Sequence, residues 1–484
     1  MKSLRKNATY NTAYQIVRLG FPIVTYPYVS RLIGPVGIGT VVYAEAIAQY
    51  FCVFAMLGVP VYGSREISIS RSFPNQTESV FSSLFLITTI TSWLALIIYA
   101  ALPLIFPVLA PDPVLFWMFA AVIFFNSGRL EWFFSGIEEY RYITTRNLFL
   151  KVIGLAMTFI LITHPEHYVR YGIIWLITNV FGALLNIRYA LQKTRILWHG
   201  LRIIHHLKAI VPTAALLLSE MLYRSIDVVM LGILVSDDRT SVGFYNTAGR
   251  VVRLATTIVT AAAAVSVPRV ALHFAKGDDE AAKNIIRKSF SVTLFFGLPM
   301  AAGLFILAPD IIQLFAGAQF SSAISTLKIL SGEIILIGIS GVIGAHVLYA
   351  TGKEKTSLFV TIFGFTIAVI LNFFLIPIHQ QDGAAFATIL TRVIVFFALM
   401  FLSKEITVPS LMTLDVLRIL ISTIGMALFL WLGIAALGSV PIIARILLLT
   451  IVSTLVYGVS AIALNVETGK KIFSILQLRI RRSH

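Results

Sequence analysis

Residues 419–436 read ILISTIGMALFLWLGIAA, a run without a single charged side chain. About 20 apolar residues are enough for a helix that crosses the hydrocarbon core of a bilayer. Such runs recur along the whole chain, which has 484 residues, 58% of them hydrophobic and 12% charged. A soluble domain carries about 25% charged residues. The sequence therefore predicts an all-α integral membrane protein.

The apolar runs are numerous enough to predict about fourteen transmembrane helices. The first run is followed by many others, so it is not interpreted as a cleaved signal peptide. No connection is long enough for a folded domain of the usual size, which places the function within the membrane. The predicted spans are residues 10–30, 37–60, 79–108, 113–134, 145–163, 169–191, 208–234, 242–267, 289–309, 323–350, 356–377, 383–402, 414–436 and 440–464.

Basic residues mark every second connection between the predicted spans. In a soluble protein the formal charge of +16 would suggest a nucleic-acid partner, but here the positive charge lies in short loops, where it sets orientation. The positive-inside rule makes the basic side cytoplasmic. We therefore predict a multi-pass protein of the cell (inner) membrane, with both termini cytoplasmic and no nucleic-acid partner. The alternate connections hold only Arg31, Arg170, Arg239 and Arg445.

A weak internal repeat predicts how the spans are grouped. Three residues recur at a constant offset: Gly39, Ala44 and Arg65 return as Gly243, Ala248 and Arg269. Parallel repeats are a common way to build a transporter. The pattern predicts two six-helix lobes related by a pseudo-twofold repeat, plus two C-terminal helices. The N-terminal lobe is residues 1–207, the C-terminal lobe is residues 208–403, and residues 404–484 hold spans thirteen and fourteen with a basic cytoplasmic tail.

Two sequence motifs lie at span ends. The first, PYVSRLIGPVGIG at residues 27–39, occupies the first extracytoplasmic turn and is followed by residues 44–51. Its glycines and proline permit a tight reversal of the chain. The second, EWFFSGIEEY at residues 131–140, lies at the cytoplasmic end of span four. Its aromatic residues predict anchoring at the membrane interface, with a role in substrate binding as the less favoured alternative.

Both motifs resemble those of the polysaccharide transporter family, the flippases of O-antigen and related undecaprenyl-linked repeat units. This family lies within the multidrug, oligosaccharidyl-lipid and polysaccharide exporter superfamily. The number of spans and the repeat agree with that superfamily, so the resemblance covers nearly the whole chain. In the second motif, Ser135 stands where the family frequently has glutamine.

The resemblance implies transport by alternating access and no covalent chemistry. The expected cargo is an undecaprenyl-pyrophosphate-linked oligosaccharide, moved from the cytoplasmic to the outer leaflet for O-antigen, lipopolysaccharide, capsule or exopolysaccharide biosynthesis. The expected partners are this lipid-linked oligosaccharide, membrane lipids and polysaccharide assembly enzymes. No cofactor is expected, and the chain is not expected to be an enzyme.

Three arginines inside predicted spans are the candidate substrate-binding residues. A central charge costs about 2.5–3.5 kcal/mol on insertion scales and survives chiefly by facing protein or a wet cavity. Arg250 and Arg253 share a helical face, and Arg18 continues a polar stripe on span one. An arginine fork suits phosphate oxygens, so we expect these three to face the passage between the lobes and bind the pyrophosphate. Ion pairing with acidic neighbours is the structural alternative.

Five further charged residues within the spans receive other interpretations. Arg224 has Glu220 four residues before it and Asp227 three after it, which predicts a structural ion pair within span seven. Glu45 and Glu333 are candidate coupling or cavity residues, because a carboxylate in a low-dielectric cavity can bind a proton or cation. A cross-helix hydrogen bond is the equal alternative for both.

Two other classes of function remain open at this point. A cation-coupled multidrug exporter has the same architecture, although cationic drugs fit poorly with an arginine-bearing cavity. A membrane sugar polymerase or glycosyltransferase handles similar substrates, but its acid, base or metal groups would usually gather near one surface. No P-loop occurs, so no ATPase motor lies in this chain. No metal site is predicted, and Cys52 is the single cysteine.

Overall fold

The computed structural model describes residues 2–110, 112–235, 239–264, 266–470 and 474. Side chains are described in this range except for residues 2–19, 22, 216, 262–264 and 354. The described residues are almost entirely helical, and they include no strand. The chain divides into two compact units, Met1–Gly243 and Phe244–His484.

The first unit is built from eight α-helices and the start of a ninth, among the residues that the structure describes. Short 3-10 helices at Pro107–Leu109, Phe125–Gly128 and Pro165–His167 join some of them. The α-helices are α1 (Lys2–Met56), α2 (Val59–Ser70), α3 (Pro74–Ile105), α4 (Pro113–Phe124), α5 (Glu131–Gly136), α6 (Tyr140–Leu161), α7 (Tyr168–Lys193), α8 (Ile203–Leu234) and α9 (Thr240–Ala264).

The second unit contains the remainder of α9 and all later helices. A 3-10 helix at Ala318–Phe320 and a π-helix at Ile343–Tyr349 interrupt the α-helical segments. The α-helices are α10 (Val267–Ala275), α11 (Asp279–Ile306), α12 (Ala308–Phe315), α13 (Ala323–Ser331), α14 (Glu333–Val342), α15 (Glu354–Leu402), α16 (Lys404–Leu411), α17 (Leu414–Ala436) and α18 (Ile442–Ala463).

Within the described part of the chain, ten segments are long and apolar enough to cross a membrane. Two of them, Ile23–Ser70 and Lys355–Leu402, have 48 residues each, more than one crossing requires. Both contain a break in the helix, at Gly34 (φ 69°) and at Gln380 (φ 49°). The predicted multi-pass helical architecture is confirmed, whereas the total of fourteen spans stays a prediction.

The turn predicted at residues 27–39 lies at one end of the first unit, together with other connections. The Tyr28 hydroxyl donates to the Ile162 carbonyl at 2.8 Å, and the Tyr43 hydroxyl donates to the Val108 carbonyl at 3.2 Å. At the opposite end, Lys193 Nζ donates to Glu139 Oε1 at 2.6 Å. In the first unit these contacts group the connections in the way that the alternation of basic residues predicts, while the topology of the whole chain and the cytoplasmic assignment stay predictions.

The aromatic residues of the second motif belong to the core of the first unit. Trp132, Phe133 and Phe134 are buried, and the Phe133 ring centroid lies 4.7 Å from that of Phe81. A Cβ on Gly63 would lie 2.7 Å from Cε3 of Trp132, so the indole packs directly against the α2 backbone. The expectation of interfacial anchoring is wrong for these three residues, because close packing with α2 and α3 takes them out of contact with the surroundings.

The last two helices, α17 and α18, share the core of the second unit. Ile419 and Met426 from α17 pack in one cluster with Leu449 and Tyr457 from α18 and with residues of α11 and α14. The Tyr457 hydroxyl donates to the Phe295 carbonyl at 2.8 Å. Residues 404–470 are thus part of this unit's packing, whereas the three-part division at 207 and 403 stays a prediction.

Repeat-related glycines meet where α1 passes the start of α9. A Cβ on Gly39 would overlap the carbonyl oxygen of Arg239, and one on Gly243 would overlap the carbonyl oxygen of Pro35. Gly39 and Gly243 are separated by the same number of residues as Pro35 and Arg239, so the two contacts are equivalent under the repeat. The glycines of the first motif therefore allow two backbones to touch, in addition to the break at Gly34.

Candidate functional site

One face of α9 carries the arginines predicted to bind substrate. Arg250 is half-buried and Arg253 is exposed, and the exposed positions continue along the same face through Thr257 and Ala261. The opposite face of the helix is buried and apolar. It consists of Ala248, Val252, Ala255 and Val259.

The guanidinium of Arg253 lies back along α9, toward the N-terminus of the helix. Its Nη2 donates to Oδ1 of Asn246 at 3.3 Å, and Asn246 is only 6% exposed. A Cβ on Gly249 would lie 3.1 Å from Nη1 of Arg253. Helical side chains normally point in this direction. Asn246 thus gives the guanidinium one fixed hydrogen bond, and Gly249 leaves space for it.

The position of Arg253 within α9 bears on what this face contacts. Arg253 lies about 20 Å along the helix from Thr240, at 1.5 Å per residue, which is in the middle part of this 25-residue helix. An exposed guanidinium within a membrane is costly against lipid and is tolerated against water or polar groups. We therefore expect this face of α9 to line an aqueous passage.

Arg18 and Glu45 both lie on α1. The side chain of Arg18 is outside the residues that the structure describes, so its part in the predicted site stays a prediction. Glu45 follows the break at Gly34 and is half-buried. Its predicted role as a coupling or cavity residue is likewise untested by its position.

Glu333 lies at the start of α14 and forms an ion pair with Arg392 of α15. Nε and Nη2 of Arg392 both lie 3.3 Å from Oε1 of Glu333, and the side chains are 20% and 15% exposed. The pair supplies Glu333 with a positive partner from another helix. A carboxylate held in this way is neutralised without a coupling cation, which favours the cross-helix contact that the sequence left open.

Glu220, Arg224 and Asp227 occupy successive turns of α8. Arg224 Nη2 donates to Glu220 Oε1 at 3.0 Å, and both side chains are largely exposed. Asp227 is buried. The contact between Glu220 and Arg224 is the one expected from their spacing, and their structural role stays a prediction.

A buried polar network in the first unit was not predicted. Arg146, near the start of the predicted span 145–163, is only 7% exposed and donates to Glu131 Oε1 at 2.6 Å. It also contacts the Oδ1 atom of Asn186, whose Nδ2 donates to the Gly128 carbonyl at 3.0 Å. The network fixes the broken segment between α4 and α6. Helical spacing could not reveal this pair, because Arg146 lies fifteen residues after Glu131.

Two polar contacts in the second unit were also missed. Arg445, counted as a loop residue, forms a two-pronged contact with Asp310 and joins the start of α18 to α12. His346, in the π-helix, shares a hydrogen bond of 2.8 Å between its Nε2 and the Ser266 hydroxyl. Neither contact involves residues at helical spacing, so periodicity could not reveal them. Among the described residues, no group of His, Cys, Asp and Glu could hold a metal ion.

Sequence comparison places this chain among proteins of surface-glycan synthesis. The sequence model of the family "Polysaccharide biosynthesis protein" matches residues 4–273, and that of "Lipid II flippase MurJ" matches residues 142–464. A protein of Escherichia coli (strain K12) described as an O-antigen transporter is 22% identical over 404 residues, covering 81% of this chain and 95% of that protein. A protein of Haloferax volcanii described as a low-salt glycan biosynthesis flippase is 28% identical over 169 residues, 35% of each chain.

Solved structures share the fold. The lipid II flippase MurJ in its inward closed conformation has a TM-score of 0.74 and 16% identity, covering 94% of this chain and 97% of MurJ. An inward-facing multidrug resistance MATE family transporter of the MOP superfamily has a TM-score of 0.63 and 16% identity, covering 83% of this chain and 96% of the transporter. At such identities these matches establish the fold, which is that of MurJ and, less closely, of the MATE transporters.

Proposed function

This chain belongs to the polysaccharide biosynthesis protein family, and from that premise we propose that it is a flippase of lipid-linked oligosaccharides. It is a membrane transporter and not an enzyme. The specific cargo proposed is an undecaprenyl-pyrophosphate-linked repeat unit, moved from the cytoplasmic to the outer leaflet of the inner membrane by alternating access. The product would feed synthesis of O-antigen, capsule or exopolysaccharide, and polysaccharide assembly enzymes would be its partners.

The face of α9 with Arg250 and Arg253 supports an anionic cargo. Both side chains are permanently charged, and a guanidinium donates two parallel hydrogen bonds to a phosphate group. A cationic drug would be repelled by the same face. The MATE-like alternative therefore fits the fold but not these charges. The prenyl tail of the cargo would remain in lipid while its polar head follows the cationic face.

We predict that replacing both arginines abolishes most of the transport. At matched protein levels, Arg250→Ala with Arg253→Ala should lower surface polysaccharide in a flippase-deficient strain by roughly tenfold or more, since each charged hydrogen bond is worth about 1.5–3 kcal/mol. Lysine at both positions should restore part of the activity, because it keeps the charge and loses the fork. Arg18→Ala, tested separately, should show the same kind of loss if Arg18 belongs to the site.

The matched control is Arg287→Ala, which removes an exposed positive charge from α11 of the same unit. It should leave surface polysaccharide unchanged. Full restoration by the double alanine variant would show that the site is wrongly assigned. If the unmodified chain fails to restore the polysaccharide but raises resistance to cationic drugs, the proposed cargo itself is wrong.

A further inference from the structure

The connection between α7 and α8 carries positive charge without any negative charge. The sequence has no Asp or Glu between Glu166 and Glu220. Over the same stretch, basic residues concentrate around the connection. We define the linker surface as Arg195, Trp198 and Arg202 of the connection together with Lys208, which lies in the second turn of α8.

This pattern is more than the usual excess of basic residues in a cytoplasmic loop. The segment from the end of α10 into the start of α11 is also basic, but it contains its own counter-charges: Lys283 Nζ donates to Glu280 Oε1 at 3.4 Å, and His273 Nδ1 lies 3.2 Å from Oδ2 of Asp278. Orientation by the positive-inside rule accounts for both segments. It does not account for the lack of acidic residues in the linker.

The backbone of the linker is fixed to α3. The Leu197 amide donates to the Ser82 hydroxyl at 2.8 Å, and the Arg202 amide donates to the Ser83 hydroxyl at 3.2 Å. Ser82 and Ser83 are both buried. Because the backbone is held from the inner side, the side chains of the linker are presented outward from a defined position.

The outward side chains are a tryptophan and three cations. Trp198 is 73% exposed, although it lies in a non-helical segment outside the predicted spans. Arg195, Arg202 and Lys208 are exposed too, and in the described part of the chain none of them has a salt bridge. Tryptophan prefers the headgroup level of a bilayer, where its ring is partly apolar and its N–H remains hydrated.

A neighbouring histidine, His206, is affected by burial and by two positive neighbours. Burial lowers the pKa of His206, at the start of α8, and the nearby His205 and Arg202 lower it further. The linker also lies at the end of the unit where Lys193 contacts Glu139, which is the predicted cytoplasmic end. The cytoplasmic leaflet has a negative surface potential where anionic phospholipids are present.

From this arrangement we propose that the linker surface binds the phosphate groups of anionic phospholipids in the adjacent leaflet, with Trp198 inserted at headgroup level. The partner is the lipid surface itself and not the transported cargo. Three basic residues near an anionic surface correspond to roughly a hundredfold in affinity at low salt. This inference requires only that the chain lies in a membrane, so it is independent of the proposed cargo.

The test compares lipid binding by the purified full chain and by two triple variants. Phosphatidylglycerol or phosphatidylcholine is added to the detergent-solubilised protein, and bound lipids are counted by native mass spectrometry. The linker variant is Arg195→Gln, Arg202→Gln and Lys208→Gln. The matched control is Lys276→Gln, Lys283→Gln and Arg287→Gln, which removes the same charge from the segment around the start of α11, where acidic residues are present. In parallel, brominated phosphatidylglycerol should quench the fluorescence of the unmodified chain more than that of Trp198→Phe.

We expect the unmodified chain and the control to retain phosphatidylglycerol in preference to phosphatidylcholine, and the linker variant to lose most of this preference. Equal retention by all three proteins would overturn the proposal. An equal loss in both variants would also overturn it, because the effect would then follow net charge alone. The double alanine variant at Arg250 and Arg253 should bind phospholipid normally, which separates this result from a failure of the proposed transport function.

Discussion

At the scale of single residues, Asn246 stands out as one group that orients Arg253, a candidate substrate-binding residue. It accepts a hydrogen bond from Arg253 at 3.3 Å, and it is almost wholly buried. Its Nδ2 is buried as well and makes no hydrogen bond to the described residues. An isolated buried amide N–H normally costs stability. A buried side chain that costs stability in this way is consistent with a role in orienting Arg253.

We predict that Asn246→Ala lowers transport while leaving protein abundance near normal. The loss of one charge-assisted hydrogen bond should weaken the cargo interaction by roughly three- to tenfold, because one of the contacts that orient the Arg253 guanidinium is then missing. The measurement is surface polysaccharide per transporter molecule in the flippase-deficient strain. The matched control is Asn179→Ala, since the Asn179 amide only donates to the Trp175 carbonyl of its own helix.

A double variant decides between positioning and general packing. If Asn246 acts through Arg253, then Asn246→Ala should add nothing to the defect of Arg253→Ala. Additive defects, or a fall in abundance that parallels the fall in transport, would instead assign Asn246 to the scaffold.

The residues found by sequence reasoning and those missed differ in a physical way. The contact between Glu220 and Arg224 could be recognised because the two residues lie four positions apart on one helix, whereas the assignment of Arg250 and Arg253 to the substrate stays a prediction. The contact of Arg146 could not be recognised, since its partner Asn186 is forty residues distant on α7. A charge pattern along one helix does not report which other helix will pack beside it.

At the scale of elements, the positions of helices followed from the apolar runs but their interruptions did not. Residues 113–134 were predicted as one span, and the structure divides them into α4, a 3-10 helix and the start of α5. The break frees the Gly128 carbonyl, which accepts from Asn186, and Asn126 Nδ2 donates to the Cys52 carbonyl at 2.9 Å. Hydrogen bonds between helices thus replace those lost at the break. The spacing of apolar residues along the chain does not indicate which helices make such contacts. The break at Gly34 was foreseen because glycine itself supplies the required conformation.

The crossing of α1 and α9 should be intolerant of even one extra methyl group. Gly39→Ala would place its Cβ against the Arg239 carbonyl, a backbone atom that cannot rotate away. We expect a loss of roughly 1–3 kcal/mol in stability, the usual cost of overpacking. Thermal unfolding of the purified protein would measure it, with Gly20→Ala as the control, because no atom lies within 4 Å of a Cβ at that position of α1. Equal unfolding temperatures for the two variants would show that the backbones do not touch.

At the scale of the whole molecule, the family and the multi-pass fold could be predicted from the sequence, and both are confirmed. Motifs at two span ends and the length of the apolar runs were sufficient for this. Counting the basic residues of the connections to predict orientation has a limit, because some of these residues are not in exposed loops. Arg445 was assigned to a connection, yet it is held by the carboxylate of Asp310 within the packed protein. The prediction of orientation therefore depends on the exposed basic residues.

The orientation can be tested by labelling cysteines that are introduced at exposed positions. Cys52 is buried and is the single cysteine, so Cys52→Ala gives a cysteine-free protein with one small internal change. New cysteines are then placed at exposed positions, Gln192 and Asn284 on the basic side, and His164 and Ser439 on the other. A membrane-impermeant maleimide should label the last two in intact cells, because the basic connections remain in the cytoplasm. Gln192→Cys and Asn284→Cys should react only after the membrane is permeabilised. The opposite pattern would reverse the orientation, and with it the direction of transport and the leaflet that faces the linker surface.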